Sequence, residues 1–249
     1  MSNIATIEKM RQMRLLGMTD AFETIIETSQ NDNFTPDELL AYLIEAEWND
    51  RHLRKLQRHL RAAKFRYRAT VEEIDFQTPR NLDKNLMLRM ADCTFLERKE
   101  NLLLTGPTGT GKSFLTSAIG HQACVKGYKV RYFNCAKLFA MLKMAKADGS
   151  YKRIMDRIER QDLLILDDFG LQPVDSQSRL AMLEIIEDRH GRKSTIIASQ
   201  LPVAKWYKVI GEKTLADAIL DRLVHSAHRF ELAGESLRKR KKQVGENDE

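Results

Sequence analysis

The sequence predicts an α/β fold, a five-stranded parallel sheet with helices on both faces, preceded by a small all-helical N-terminal domain. Three observations point there. Residues 1 to about 75 read as helical throughout. From about residue 76, short apolar runs alternate with helical stretches, the pattern of a parallel sheet. The third is Gly106-Pro-Thr-Gly-Thr-Gly-Lys-Ser113, which fits G-x-x-x-x-G-K-[ST] at every fixed position and stands between an apolar run and a helix.

In chain order, Gly17 and Pro36 interrupt the N-terminal helices. Thr35-Pro-Asp-Glu38 is a helix start, with Thr35 as N-cap, Pro36 at the first position and Glu38 closing a capping box. The helix can run to roughly Phe65. Its first half puts Leu39, Leu43 and Ala46 on one side and Glu45, Glu47 and Asp50 elsewhere. From Arg51 to Arg68 there are eight Lys or Arg, two His and no carboxylate. Arg51, Arg54, Arg58 and Arg61, with Lys55 nearby, line one face; Leu53, Leu56 and Leu60 form a predicted core-facing stripe. The predicted strands are Asn101–Thr105, Tyr128–Phe133, Leu163–Leu166, Thr195–Ala198 and, at an edge, Arg229–Leu232. The predicted domains are thus 1–75 and 76–237, followed by a charged tail, 238–249, expected to be disordered.

No apolar run approaches 18 residues, and the N-terminus lacks the basic start and apolar stretch of a signal peptide. Cys93, Cys124 and Cys135 show no metal or redox spacing and read as reduced core thiols of a cytoplasmic protein. The formal net charge of +6 favours a polyanionic partner.

The glycine-rich segment has a definite chemistry. Glycines let the backbone turn tightly, so that amide N–H groups and the following helix N-terminus face phosphate. ATP binding is therefore assigned to Gly106, Pro107, Thr108, Gly109, Thr110, Gly111, Lys112, Ser113 and Phe114. Lys112 would reach the β- and γ-phosphates, and Ser113 would bind Mg2+. Asp167-Asp168 ends an apolar strand, the place for a magnesium-shell acid (Asp167) and an acid orienting or deprotonating the attacking water (Asp168); the alternative is a turn before Phe169-Gly170. Ser199-Gln200 at the fourth strand's end reads either as γ-phosphate and water contacts or as a plain turn. Asn134 reads as a contact to the water-activating acid or as a helix N-cap. Arg222 reads as a surface ion pair with Asp217 or Asp221, or as an arginine finger given to a neighbour's γ-phosphate.

Taken in order, the phosphate-binding motif, Leu-Ile-Leu-Asp-Asp-Phe-Gly170, Ile-Ala-Ser-Gln200, Leu-Asp-Arg-Leu223 and Gly-Glu-Ser-Leu-Arg238 resemble the IstB-like ATP-binding proteins, as does Phe95-Leu-Glu-Arg-Lys-Glu-Asn101. The likeness spans nearly the whole chain. It implies an AAA+ ATPase similar to the initiator DnaA and the helicase loader DnaC, assembling with ATP on target DNA to assist a transposase. It also implies that Arg222 is the finger, that Ser199 and Gln200 are the sensor-1 strand end, and that Arg238 is sensor-2-like. The basic helical face is the footprint of phosphate contact, with a solvated face or an acidic partner as alternatives. A second DNA candidate is the segment 143–153, with Lys143, Lys146, Lys152 and Arg153. Neither region has a base-reading motif, so mostly non-specific duplex binding is expected. The competing functions are a helicase loader, whose N-terminal segment would meet a helicase, and a small-molecule kinase, for which no acceptor pocket or lid is visible.

Overall fold

Apolar strands of five to seven residues can only be buried on both faces if helices cover both faces, and this is what the chain builds. The computed structural model describes residues 2–28 and 34–237. These form two compact units, Met1–Arg58 and His59–Glu249, dividing inside the long helix and ahead of the predicted boundary near residue 75.

The first unit contains α1 (Asn3–Gln12), α2 (Leu16–Glu27) and most of α3 (Pro36–Ala63). The capping box at α3 forms: Glu38 N–H donates to Thr35 Oγ1 at 3.3 Å, and Thr35 N–H donates to Glu38 Oε2 at 2.8 Å. Gly17 does not interrupt a helix. It lies inside α2, where a Cβ would come within 2.7 Å of Asp50 Cβ and 2.8 Å of Glu47 Cα, so glycine is there to let α2 and α3 approach. Glu47 is buried at this crossing and accepts from Met18 N–H at 3.3 Å. Leu43 is buried as expected, but Leu53 is 57% exposed, so the predicted stripe of Leu53, Leu56 and Leu60 does not all face a core.

The predicted helical run stops at Ala63; from Lys64 to Asp83 the chain is irregular, and Lys64 takes a left-handed conformation that ends α3. Then follow α4 (Lys84–Ala91), α5 (Thr94–Glu97), β1 (Asn101–Thr105), α6 (Lys112–Val125), β2 (Val130–Asn134), α7 (Cys135–Ala147) and α8 (Tyr151–Glu159). After these come β3 (Leu163–Phe169), α9 (Ser176–Arg189), β4 (Ser194–Ser199), α10 (Trp206–Ile210), α11 (Lys213–Val224) and β5 (Ala227–Glu231). All five predicted strands are present, their ends differing by up to three residues, most at β3, which runs on through the acids to Phe169. They pair in parallel in the order β2-β3-β4-β1-β5, with β5 at an edge. Strand β3, which carries the acids, is therefore separated from β1 by β4.

Alternation along the strands sorts the core. Leu103, Leu164, Leu166 and Ile197 pack with α7, α9, α10 and α11, while Ile165 faces Gly120 of α6 on the opposite side. Arg189 is 1% exposed and satisfied by five acceptors, among them Ser194 O at 2.5 Å and Gln161 O at 2.9 Å, tying α9 to the strand starts. The three cysteines are buried and unpaired. Among the described residues no helix is long and apolar enough to cross a membrane.

Candidate nucleotide site

The phosphate-binding loop leaves the end of β1 and enters α6, whose N-cap is Gly111 at φ +94°. A side chain at Gly111 would strain the backbone and meet Arg80 Nη1 at 2.5 Å. Lys112 curls back over its own loop, donating from Nζ to Gly106 O at 2.6 Å and to Pro107 O at 2.7 Å. Burial lowers the pKa of its ammonium, opposed by the charges of Asp167 and Asp168. Thr110 Oγ1 braces Pro107 O at 2.9 Å, and Thr108 Oγ1 donates to Gln200 Oε1 at 2.6 Å. Gln200 thus touches the loop directly. Ser199 does not; its hydroxyl donates to Phe169 O at 2.7 Å and accepts from Leu201 N–H at 3.1 Å, binding the ends of β3 and β4 together.

The acids do not follow the strand but sit in it. Between Leu166 and Phe169 the register with β4 shifts, and Asp168 takes φ +57°, so the strand's regular alternation breaks at the acids and both carboxylates come within reach of one nitrogen, Arg66 Nη1. Asp167 is 1% exposed and accepts from the Tyr132 hydroxyl, whose pKa is pushed far up by burial and by that bond. Its other oxygen accepts from Asp168 N–H at 2.9 Å. Asp168 accepts from Asn134 Nδ2 at 2.9 Å, and Asn134 Oδ1 accepts from Lys137 N–H at 3.3 Å, so Asn134 holds the acid and caps α7 at once. A cleft of about 290 Å³ opens beside Asp168, between α7 and the segment from Gly170 to Asp175.

Several contacts escaped the sequence reading. Arg66, counted there only as part of a basic run, lies 3.0 Å from Asp168 Oδ2 and 3.6 Å from Asp167 Oδ2. Tyr132 and Arg80 were not singled out. Arg80 is 4% exposed and braces the loop through Thr110 O at 3.1 Å, while its other guanidinium nitrogen is anchored on Asp75 O at 2.6 Å. The chain after β5 also returns to the loop, Leu237 N–H donating to Gly109 O at 3.0 Å; Arg238 and the tail 238–249 lie outside the described residues.

Arg222 pairs with neither Asp217 nor Asp221. Its Nη1 donates to Ala218 O at 2.8 Å, and Nη2 lies 3.1 Å from Glu187 Oε1. Its carbonyl accepts from Asn101 Nδ2 at 3.3 Å, which places Arg222 at the starts of the strands. The length of β1, roughly 13 Å, separates it from its own phosphate loop. Of the basic residues, Arg51 is held by Glu47 at 2.6 Å and Arg54 by Asp50 at 2.5 Å, whereas Lys55, Arg58 and Arg61 are exposed with no carboxylate partner among the described residues. Lys143 is ion-paired with Asp175, Lys146 lies 4.9 Å from the Tyr151 ring centroid, and Lys152 and Arg153 are exposed.

Comparison with known proteins gives the chain's family and fold relatives. A family model described as IstB-like ATP binding protein matches residues 8–245. An insertion sequence ATP-binding protein, y4pL, of Sinorhizobium fredii is 46% identical over 94% of this chain and 96% of its own length. The IS21 ATP-binding protein of Pseudomonas aeruginosa is 31% identical over 90% of this chain and 84% of its own length. Among solved structures, DnaI superposes with a TM-score of 0.58 at 21% identity, over 68% of this chain and 90% of that one, a likeness of fold.

Proposed function

This chain belongs to the IstB-like ATP-binding proteins, with an AAA+ fold, and we propose that it hydrolyses ATP to control an assembly on duplex DNA that assists a transposase. The observation that carries the proposal is a division of the chemistry between two ends of one sheet. Lys112, Ser113, Asp167, Asp168 and Gln200 gather at the strand ends around the phosphate loop, while Arg222 stands at the opposite end, away from its own loop, which supports a role toward a neighbouring subunit.

The donor set suits Mg2+ and triphosphate. Ser113 and Asp167, a hydroxyl and a buried carboxylate beside the cradle, are the residues that would hold the ion, which would supply charge neutralisation to the triphosphate. Lys112 gives up the carbonyls of Gly106 and Pro107 for phosphate oxygens, exchanging neutral for charged acceptors. Asp168 orients the attacking water and takes its proton. Gln200, braced by Thr108, orients the γ-phosphate or the water. Arg222 of a neighbour exchanges Glu187 for the γ-phosphate, so nucleotide and subunit contact depend on one another.

The same reading assigns DNA contact to the exposed cations Lys55, Arg58 and Arg61, which have no carboxylate partner among the described residues, with Lys152 and Arg153 as a second patch and Arg51, Arg54, Lys143 and Lys146 as weaker contributors already engaged within the chain. The insertion-sequence names of its relatives support a transposase as the partner. Electron microscopy with duplex DNA in ATP, ADP and a non-hydrolysable analogue tests the proposal. Ordered assemblies are expected with ATP or the analogue and not with ADP. Equal assembly in all three would overturn the switch.

A further inference from the structure

Arg66 has no part in the scheme above, yet it makes the closest charged contact to the acid pair. It follows the end of α3 in chain that is not helical, and its neighbours fix it in place. Phe65 packs on α6 so closely that a Cβ on Gly120 would lie 2.5 Å from Phe65 Cε1; the Tyr67 ring centroid is 6.4 Å from that of Phe114, also on α6. With its Cζ 5.7 Å from the Tyr67 ring centroid, the Arg66 guanidinium reaches Asp168 Oδ2 at 3.0 Å, the same oxygen that accepts from Asn134 at 2.9 Å, and comes within 3.6 Å of Asp167. One oxygen of the catalytic acid is therefore shared by two donors, and one of them is a full positive charge.

The arrangement closes on itself. Arg131 of β2 donates to Ala62 O at 2.5 Å, in the last turn of α3, and the same strand carries Tyr132 and Asn134, the donors to Asp167 and Asp168. The end of α3, β2 and the acid pair thus form one connected network, of which Arg66 is the charged link.

We infer that Arg66 is an electrostatic clamp on the acid pair, competing with the divalent cation for Asp167 and occupying an oxygen that Asp168 needs to accept a proton from water. The clamp restrains hydrolysis until Arg66 is drawn away, and its place just beyond α3 makes movement of that helix end the means of withdrawal. This rests on the reading of Asp168 as the residue that activates water. Arg66 acts through the acids and is a positioning residue.

The experiment compares wild type with Arg66→Ala, Arg66→Gln and Arg66→Lys by two readouts: Mn2+ affinity of the ADP-bound protein by electron paramagnetic resonance, and ATP hydrolysis without DNA. The guanidinium is partly exposed, so its loss should tighten Mn2+ binding and speed hydrolysis by roughly twofold to fivefold each, the range for such ion pairs. Arg66→Gln should match Arg66→Ala, and Arg66→Lys, which keeps the charge, should stay near wild type. Unchanged or weaker Mn2+ binding in Arg66→Ala overturns the clamp, as does slower hydrolysis, which would make Arg66 a contact to phosphate. Asp168→Asn run alongside separates the premise: hydrolysis at the wild-type rate there removes the catalytic reading of Asp168, while Mn2+ affinity still decides whether Arg66 competes for the pair.

Discussion

Asn134 performs two jobs that substitutions can separate. Its Oδ1 caps α7 through Lys137 N–H, and its Nδ2 holds Asp168. Alanine deletes both. Losing an N-cap costs about 1 kcal/mol. Losing a hydrogen bond to a carboxylate that keeps another partner, Arg66, adds about 1 kcal/mol. Serine restores the cap but is too short to reach Asp168, so Asn134→Ser should lose only the second part. For a unit of this size a kilocalorie moves the melting temperature by about 2–4 °C. Asn134→Ala should therefore melt about 4–8 °C below wild type, and Asn134→Ser at roughly half that deficit. Steady-state ATP turnover should be altered equally in the two, because both delete the bond to Asp168. Thermal melts followed by circular dichroism and a coupled ATPase assay measure both quantities. Equal melting deficits, or turnover that follows stability instead of the shared lost bond, would refute the dual assignment.

Other predictions follow from particular contacts. Replacing Arg58 and Arg61 by alanine should reduce the slope of log affinity against log salt for duplex DNA by about 0.9 per lost phosphate contact. The pair Arg51 and Arg54 should have a smaller effect because Glu47 and Asp50 already hold them; unchanged affinity in all four would point to a protein partner for this helix. Burial raises the Cys93 and Cys124 thiols to about 11 and about 12, so neither carries thiolate at pH 7.5. Maleimide labelling of the native protein should be negligible at these positions and complete after unfolding; fast native labelling would contradict their placement. Gly17→Val should separate α2 from α3 and destabilise the first unit by about 1–3 kcal/mol, the usual cost of overpacking, read from the unfolding of residues 2–28 by hydrogen exchange.

What could be read from the sequence is what is local. Asn101-Leu-Leu-Leu-Thr105 must be a buried strand wherever its neighbours lie, and the loop from Gly106 to Ser113 specifies its own backbone and ligand through glycine and helix geometry. The capping box at Thr35 is equally self-contained. Where a residue's role depends on distant chain, the reading stopped at alternatives or missed it. Asn134 served both proposed roles because the β2–β3 pairing brings it to Asp168, a register no periodicity reveals. Arg222 found Glu187 on α9 instead of an acid on its own helix. Ser199 and Gln200 are adjacent, yet the strand end turns one into the core and the other onto the loop. Arg66 lay inside a run whose composition suggested solvent and phosphate; only the aromatics beside it, Phe65 and Tyr67, hinted that the helix had ended and the chain was packing inward. Gly17 was read as a breaker because close helix approach leaves no mark that separates it from one.

The central claim is that a nucleotide site on one subunit is completed by Arg222 of the next, and complementation between two inactive variants measures it. Asp168→Asn lacks the proposed water-activating acid but keeps Arg222; Arg222→Ala lacks the proposed finger but keeps Asp168. Each alone should lose hydrolysis, with the finger worth on the order of 10³-fold. Mixed equally, the two should recover about one quarter of the wild-type rate, the share of head-to-tail interfaces pairing an intact acid with an intact finger. Full activity of Arg222→Ala alone, or a mixture as inactive as its components, would contradict the account.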